Sequence, residues 1–306
     1  MSLALLCPGQ GGQHARMFAH VADAPAAIDV LAAAAKVLGS APQTLAEDPH
    51  RYANATAQPL VCAGTLAHWQ VLHDQLPTPL LVLGYSVGEL AAHAVAGSMG
   101  IETCLQLAAT RARAMDAASP ENAGLMAVVG LPLRVLETLC RTHGTALAIL
   151  NGDDHAVLGG PHDALQALAA DVQARGARTT LLPVSVPAHT PWLRAAADAF
   201  AVELNDADLQ APTLRVLAGI DARVVTTQAS VIQTLSAQIA QTVRWNAVLV
   251  QAAERGARVF LELGPGSALA RMARDVVPDC EARSVDEFHS MQGVVEWVTA
   301  ACERAA

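Results

Sequence analysis

The sequence is poor in charged and aromatic residues, which make up 15% and 3% of its 306 residues. It has no basic block, and its formal net charge is −9. Nucleic acid binding needs clustered Lys and Arg, so we expect no nucleic acid partner. No apolar run approaches the roughly 18 residues of a membrane helix. The first apolar segment has no basic flank and breaks at Pro8, which argues against a signal peptide.

Disulfide and metal motifs are also missing. None of the six cysteines forms a C-x-x-C pair, and a chain of this length needs no disulfides to fold. We therefore expect reduced cysteines, most of them in the core. There is no H-E-x-x-H, and His68 and His73 are spaced wrongly to share a metal on a helix. The sequence predicts a soluble, cytoplasmic protein with no metal, no permanently bound cofactor and no membrane partner.

Short apolar runs alternate with Ala-rich helical stretches, which predicts an α/β protein with a parallel sheet. The predicted strands of this larger part are 3–7, 80–83, 214–217 and 259–263. The predicted helices are 21–38, 59–76, a stretch ending near 96, 102–117, 228–240, 246–255 and a last core helix from 267.

The middle of the chain has a different element order. Strands are predicted at 125–129, 146–150, 156–158 and 179–184, with helices at 132–143 and 162–175. The order β-α-β-β-α-β is the ferredoxin-like arrangement. We therefore predict a small inserted ferredoxin-like subdomain at 119–187. Residues 1–118 and 188–306 would then form one large α/β-hydrolase-like domain.

A G-x-S-x-G motif, Gly84-Tyr85-Ser86-Val87-Gly88, lies between a predicted strand and a predicted helix. In a nucleophile elbow of this kind, a strained turn lifts the serine oxygen above the end of the sheet. The helix that follows offers free N–H groups to an oxyanion. A chance match between a strand and a helix is the alternative. The glycines of the loop 9–12 fit no phosphate-binding motif and favour an oxyanion-hole backbone close to the elbow.

A nucleophilic serine needs a base, and His189 stands out among eleven histidines. It follows a predicted strand in the loop 185–191, which contains Pro187 and Pro191. A rigid loop can hold an imidazole against a hydroxyl group. A structural histidine at a helix start is an equally good interpretation of the local sequence.

Arg111 lies on an otherwise apolar stripe of the helix predicted at 102–117, whereas Arg113 falls on its polar face. The other members of the stripe are Cys104, Leu107, Ala108 and Met115. A buried guanidinium needs an anion, because leaving it unpaired is costly. The anion could be a protein carboxylate in a structural salt bridge, or the carboxylate of a substrate.

Taken together, these residues resemble the malonyl-CoA:acyl-carrier-protein transacylase family over nearly the whole chain. The matching positions are Pro8-Gly9-Gln10-Gly11 with Gln13, Gln58-Pro59, Gly84 to Glu89, Arg111 with Met115, Gly124 with Met126, Asn151, Pro183 to His189, Val243-Arg244-Trp245 and Gly264-Pro265-Gly266. The resemblance implies that Ser86 is the acylated nucleophile and His189 the base. It implies an oxyanion hole made by the N–H groups of Gln10 and Val87. The backbone carbonyl of Gln238 would orient the histidine in place of a catalytic acid.

The resemblance also implies the substrate. Arg111 would bind the free carboxylate of a malonyl group, with Gln58 as a further substrate-binding residue. Malonyl-CoA would be the donor, and the prosthetic-group thiol of an acyl carrier protein the acceptor.

Within the family, three segments of the sequence are most similar to the epsilon subunit of malonate decarboxylase. These segments are Cys7 to His14, Gly84 to Leu90 and Asn151-Gly152-Asp153-Asp154. Housekeeping transacylases usually have His at the position of Tyr85 and Pro at that of Thr242. This similarity implies a decarboxylase carrier subunit as partner, bearing phosphoribosyl-dephospho-CoA.

Three other functions stay open on the sequence. A fatty-acid or polyketide malonyl transferase would have the same site but a carrier with phosphopantetheine. A serine hydrolase would need an acid partner for its histidine and would have no use for Arg111. A non-catalytic subunit would have no need of Ser86, His189 and Arg111 together.

Overall fold

The computed structural model describes residues 2–305 and contains two sheets. Six strands form the larger sheet: β1 (Leu3–Cys7), β2 (Leu81–Gly84), β7 (Val216–Leu217), β8 (Val224–Val225), β9 (Val259–Glu262) and β10 (Glu281–Ser284). The strand order is β10-β9-β1-β2-β7-β8, and every neighbouring pair is parallel except β7 and β8. The central strands β1, β2 and β9 are buried along their whole length, as their apolar sequences predict.

Four antiparallel strands form the smaller sheet: β3 (Ala123–Val129), β4 (Ala146–Leu150), β5 (His155–Pro161) and β6 (Arg178–Leu181). Their order is β4-β5-β3-β6, and α6 (Leu133–His143) and α7 (His162–Ala174) complete the β-α-β-β-α-β unit. The predicted fold class, a large α/β-hydrolase-like part with a ferredoxin-like insertion, is therefore confirmed. The exact domain limits at 118/119 and 187/188 stay a prediction.

The other helices belong to the larger part of the chain. They are α1 (Ile28–Leu38), α2 (Pro42–Glu47), α3 (Asn54–Leu72), α4 (Gly88–Val95), α5 (Ile101–Ala118), α8 (Arg194–Asp206), α9 (Gln228–Gln238), α10 (Trp245–Glu254), α11 (Ala268–Val276) and α12 (Met291–Arg304). Helix α4 packs against β1 and β2, whereas α11 and α12 pack against β9. No helix within residues 2–305 is long and apolar enough to span a membrane. All six cysteines are free, and four of them are buried.

Several predicted elements were wrong in extent or number. The helix predicted from residue 21 starts at Ile28, because Pro25 opens a short 3-10 turn before it. The helix predicted from residue 59 starts at Asn54, with Pro59 inside it. The helix near 267 is not the last, because β10 and α12 follow it and α12 buries Val294 and Val298. Helices α2 and α8 and strand β8 were also missed.

The small sheet is hydrogen-bonded to the segment that follows α9. Leu150 N donates to Val243 O at 2.8 Å, and Val243 N donates to Ala148 O at 2.9 Å. The Thr242 hydroxyl donates to Leu147 O at 2.8 Å. These bonds attach the segment just after α9 to β4, at the edge of the site described next.

Candidate active site

Ser86 occupies a tight turn between β2 and α4. Its φ of 56° is left-handed, which typically costs a non-glycine residue about 1–3 kcal/mol. The flanking glycines are required by close approach rather than by positive φ. A Cβ atom on Gly84 would lie 2.3 Å from Glu89 Cα, and one on Gly88 would lie 2.1 Å from Cys7 O. Glycine at position 84 lets the end of β2 lie against the first turn of α4, and glycine at position 88 lets α4 start this close to the end of β1.

His189 faces Ser86 from the loop that follows β6, although 103 residues separate them in the chain. Ser86 Oγ lies 2.8 Å from His189 Nε2, and His189 as a residue is 1% exposed. Like the serine, His189 has a left-handed φ, of 63°. Its backbone N–H donates to Ile239 O at 2.8 Å, which fixes the residue against the end of α9.

The second imidazole nitrogen has a carbonyl partner. His189 Nδ1 lies 2.6 Å from the backbone O of Gln238, the last residue of α9. Carbonyl groups in the last turn of a helix have no partner within the helix, so this oxygen is free to accept. A carbonyl only accepts, so Nδ1 carries the hydrogen and Nε2 presents a lone pair to the serine hydroxyl.

The environment keeps His189 neutral. Burial, together with the smaller effect of the nearby charge of Arg111, lowers the pKa of His189 to about 3, against the opposing effect of the Gln238 carbonyl. A neutral imidazole is the form that can accept a proton from the serine.

The glycine-rich loop after β1 lies directly against the elbow. A Cβ on Gly9 would lie 2.9 Å from Tyr85 O and 3.3 Å from Ser86 Cβ. The Gly11 N–H is taken by the side chain of Gln13. In contrast, the N–H groups of Gln10 and Val87 donate no hydrogen bond within residues 2–305. Both therefore lack an acceptor in the described part of the chain, and Gln10 lines the cavity described below.

Arg111 is 2% exposed and donates to two amide oxygens. Its Nη1 donates to Gln58 Oε1 at 2.7 Å, and its Nη2 donates to Gln238 Oε1 at 3.0 Å. No carboxylate within residues 2–305 forms an ion pair with it, so the salt-bridge alternative was wrong. Burial lowers the pKa of Arg111 to about 10, which leaves it charged at pH 7. Arg113 is exposed, as predicted.

Gln58 contacts Arg111 in an orientation that its neighbours determine. Its Nε2 donates to Asn54 Oδ1 at 2.7 Å, and Asn54 Nδ2 donates to Ala112 O at 3.1 Å. The amide of Gln58 therefore turns its oxygen towards the guanidinium. Gln58 thus holds Arg111 and also lines the cavity described next.

These groups meet in one cavity of about 340 Å³. Ser86, His189 and Arg111 line it together with residues 8–12. The small sheet and the loop after it contribute an apolar wall of Leu125, Ile149, Val157, Leu182, Val184 and Val186. A carboxylated acyl group could bind here with its charge on Arg111 and its carbonyl carbon at Ser86. No group of three His, Cys, Asp or Glu residues in the described part of the chain could hold a metal ion.

Sequence reasoning missed two polar contributions. Glu89, in the first turn of α4, is completely buried and accepts from Gln238 Nε2 at 2.5 Å. Gln238 therefore contributes to the site through its side-chain amide, which contacts Glu89 and Arg111, as well as through its backbone carbonyl, which contacts His189. An acidic residue in the first turn of a helix is common, so its position gave no signal of burial.

Comparisons with known proteins agree with this description. Residues 4–293 match the family model of the acyl transferase domain. The malonyl CoA-acyl carrier protein transacylase of Haemophilus influenzae is 30% identical over 307 residues, covering 96% of this chain and 98% of that protein. The crystal structure of FabD from Acinetobacter baumannii superposes with a TM-score of 0.92 at 27% identity, covering 98% and 99% of the two chains.

A third similar protein was solved as a complex. It is described as a type II PKS acyl-carrier protein with its malonyl-transacylase, and has a TM-score of 0.91 at 27% identity over 97% of this chain and 99% of that one. Fold and similarity together define the class, an α/β enzyme that transfers acyl groups. The chain belongs to the acyl transferase domain family.

Proposed function

We propose that this enzyme transfers malonyl from malonyl-CoA, through an ester on Ser86, to the prosthetic-group thiol of an acyl carrier protein. One observation carries the proposal: Arg111, charged and without a carboxylate partner in the described residues, lines the same cavity as Ser86 and His189. The relatives named as malonyl transacylases support it.

In the first half-reaction, His189 Nε2 takes the hydroxyl proton as Ser86 Oγ attacks the thioester carbonyl. The N–H groups of Gln10 and Val87 stabilise the oxyanion. The carbon–sulfur bond then breaks, the CoA sulfur takes the proton from the imidazolium, and the malonyl ester remains on the serine. The Gln238 carbonyl and the C-terminal end of α9 stabilise the transient positive charge on the histidine.

The second half-reaction runs the same steps with a new nucleophile. The carrier thiol gives its proton to His189 and attacks the ester carbonyl. The bond to Ser86 Oγ breaks, and the oxygen recovers the proton from the histidine. The products are the malonyl thioester of the carrier and the free enzyme. No metal or bound cofactor takes part in this proposal.

Selectivity for malonyl follows from the charge of Arg111. The free enzyme holds the guanidinium in a buried site with only neutral oxygens in direct contact. The malonyl carboxylate would supply the opposite charge, and two N–H groups can bind it in parallel. An acetyl group would leave the charge unpaired, so it should be transferred more slowly.

For the acceptor, we propose the carrier subunit of malonate decarboxylase, which bears phosphoribosyl-dephospho-CoA. The supporting feature is Tyr85, which stands where housekeeping transacylases usually have His. Its hydroxyl donates to Asn151 Oδ1 at 3.2 Å, and its ring packs edge-on against Trp245 with centroids 5.3 Å apart. The alternative is a fatty-acid or polyketide carrier with phosphopantetheine, which the named relatives favour.

Transfer from radiolabelled malonyl-CoA to the two purified holo-carriers tests the proposal. We expect faster labelling of the decarboxylase carrier, and no labelling of either carrier by the Ser86→Ala variant. Faster labelling of the phosphopantetheine carrier would establish the alternative. Labelling of neither carrier by the unaltered enzyme would contradict carrier transfer altogether.

A further inference from the structure

Glu89 is a buried carboxyl group, three residues after Ser86, that the proposed acyl transfer does not use. Its Oε2 accepts from Gln238 Nε2 at 2.5 Å and from the Gly219 N–H at 3.2 Å. Its Oε1 is buried and has no hydrogen-bond partner within residues 2–305. A carboxyl group held this way, beside the nucleophile, calls for an explanation.

The amide of Gln238 links Glu89 to Arg111. Gln238 Nε2 donates to Glu89 Oε2 and to the backbone O of Ser86 at 3.0 Å, while its Oε1 accepts from Arg111. The opposite amide orientation would place N–H groups against the guanidinium and an oxygen against the carboxyl group. The two acceptors, Glu89 Oε2 and Ser86 O, therefore fix the orientation of the Gln238 amide. The amide oxygen in turn holds one nitrogen of the Arg111 guanidinium.

The same linkage joins two opposite charges. Glu89 is the carboxyl group whose charge acts on Arg111, and the guanidinium in turn favours the ionised form of Glu89. Burial has the larger effect and raises the pKa of Glu89 to about 7. A substrate carboxylate bound directly to Arg111 would compete for this charge and repel the negative charge of the nearby Glu89.

We propose that Glu89 is a positioning residue that fixes Arg111 through the Gln238 amide and takes up a proton when a carboxylated acyl group binds. This inference rests on the proposed malonyl specificity of the site. It predicts that malonyl affinity, but not acetyl affinity, weakens as the pH rises above neutral. The ionised Glu89 has to be protonated before the carboxylate of the acyl group is accommodated beside it.

Other charged groups surround Glu89 and Arg111. Besides Arg111 on α5, the exposed Asp221 after β7 acts on Glu89. His189 and the Cys62 thiol of α3 interact with the charge of Arg111. A Glu89→Gln substitution distinguishes the titration of Glu89 from the effects of these other groups. It keeps an oxygen that accepts from Gln238 and removes only the ionisable carboxyl group.

Proton uptake can be measured directly when the ligands bind to the Ser86→Ala enzyme, because this variant cannot form the ester. Titration calorimetry with malonyl-CoA and acetyl-CoA at pH 8, in two buffers of different ionisation enthalpy, gives the protons taken up by each ligand. The acetyl-CoA titration corrects for the CoA phosphates. We expect malonyl-CoA to cause more proton uptake than acetyl-CoA. This difference should be absent from the double variant that carries both Ser86→Ala and Glu89→Gln.

The affinity ratio gives a second readout. Between pH 6 and pH 9 the preference for malonyl-CoA over acetyl-CoA should fall about tenfold, the size expected for one neighbouring charge. With Glu89→Gln the preference should stay constant, so that this variant binds malonyl-CoA more tightly than its parent at pH 9. Glu89→Leu removes the acceptor as well, and should weaken the preference at every pH.

The outcomes separate this inference from the proposed function. A malonyl preference with no additional proton uptake would overturn the role of Glu89 and leave malonyl transfer intact. Uptake that persists in Glu89→Gln would place the proton on another group and also overturn it. No preference for malonyl-CoA in the parent would contradict the proposed function, and this inference with it.

Discussion

His189 Nδ1 lies 2.6 Å from the backbone carbonyl oxygen of Gln238, at the C-terminal end of α9. The histidine of this site is thus oriented by a main-chain oxygen instead of a carboxylate. A side-chain substitution at residue 238 cannot remove that oxygen. The Gln238 side chain, in contrast, contacts Arg111, so one residue supports both the base and the acyl-binding arginine.

Replacing Arg111 with alanine should abolish malonyl selectivity. A charge-assisted hydrogen bond is worth about 1.5–3 kcal/mol, so the preference for malonyl over acetyl should fall at least about tenfold. Acetyl transfer should persist or rise, because the variant has a neutral pocket. Arg111→Lys should restore only part of the preference, since it lacks the two-pronged donor.

The matched control is Arg113→Ala, which removes an exposed arginine from the same helix. Steady-state rates with both thioesters, measured for each variant, decide the question. If malonyl and acetyl rates fall together in Arg111→Ala, the arginine is structural.

Removing the base should slow acylation strongly. His189→Ala is expected to reduce the rate of ester formation by about 10²- to 10⁴-fold, the usual contribution of a general base. Stopped-flow acylation with malonyl-CoA measures this rate, and His73→Ala, which replaces an exposed histidine, is the control. Acylation at nearly the normal rate would place the base elsewhere.

The pH profile is a separate test of the buried imidazole. The pKa of His189 is lowered to about 3, so the active neutral form persists well below the usual histidine range. With saturating malonyl-CoA, so that the pH dependence of binding does not contribute, we expect the acylation rate to stay level from pH 7 down to pH 5. A decline with a midpoint near 6.5 would show an ordinary, solvated histidine.

Gly88→Ala should destabilise the fold. The new methyl group would lie 2.1 Å from Cys7 O and 2.5 Å from Pro8 O, both of them backbone atoms. Crowding of this kind costs about 1–3 kcal/mol or more in free energy of unfolding. Chemical denaturation of the variant measures the loss.

Gly293→Ala, in the first turn of α12, is the matched control. Its new Cβ would make only ordinary contacts, the nearest at 3.5 Å. Alanine is the better helix former by up to about 1 kcal/mol, so this variant should be equally or more stable. Equal stability of the two variants would contradict the close approach of α4 to β1.

Local patterns explain which parts of the structure could be predicted. Strand β1, the elbow at Ser86 and the buried face with Arg111 all depend on short-range apolar spacing, which is visible in a sequence. Strand β10 was missed because its residues, Glu281–Ser284, lack an apolar run at the edge of the sheet. Helix α12 was missed although Val294, Val298 and Ala301 have helical spacing.

The contacts of the site could not be derived from spacing alone. His189 and Gln238 meet because the segment after α9 is hydrogen-bonded to β4, a long-range arrangement. The expectation that they form a pair came from the family resemblance. Burial of Glu89 likewise depends on Gly219 and Gln238, which are 130 and 149 residues away.

The central claim, a malonyl ester on Ser86, is tested most directly by mass spectrometry of the enzyme mixed with malonyl-CoA and no acceptor. We predict an adduct of one malonyl group, located by peptide mapping on Ser86 and removed when carrier thiol is added. Ser86→Ala should show no adduct. An unchanged adduct in that variant, or malonyl transfer by it at the normal rate, would contradict the claim.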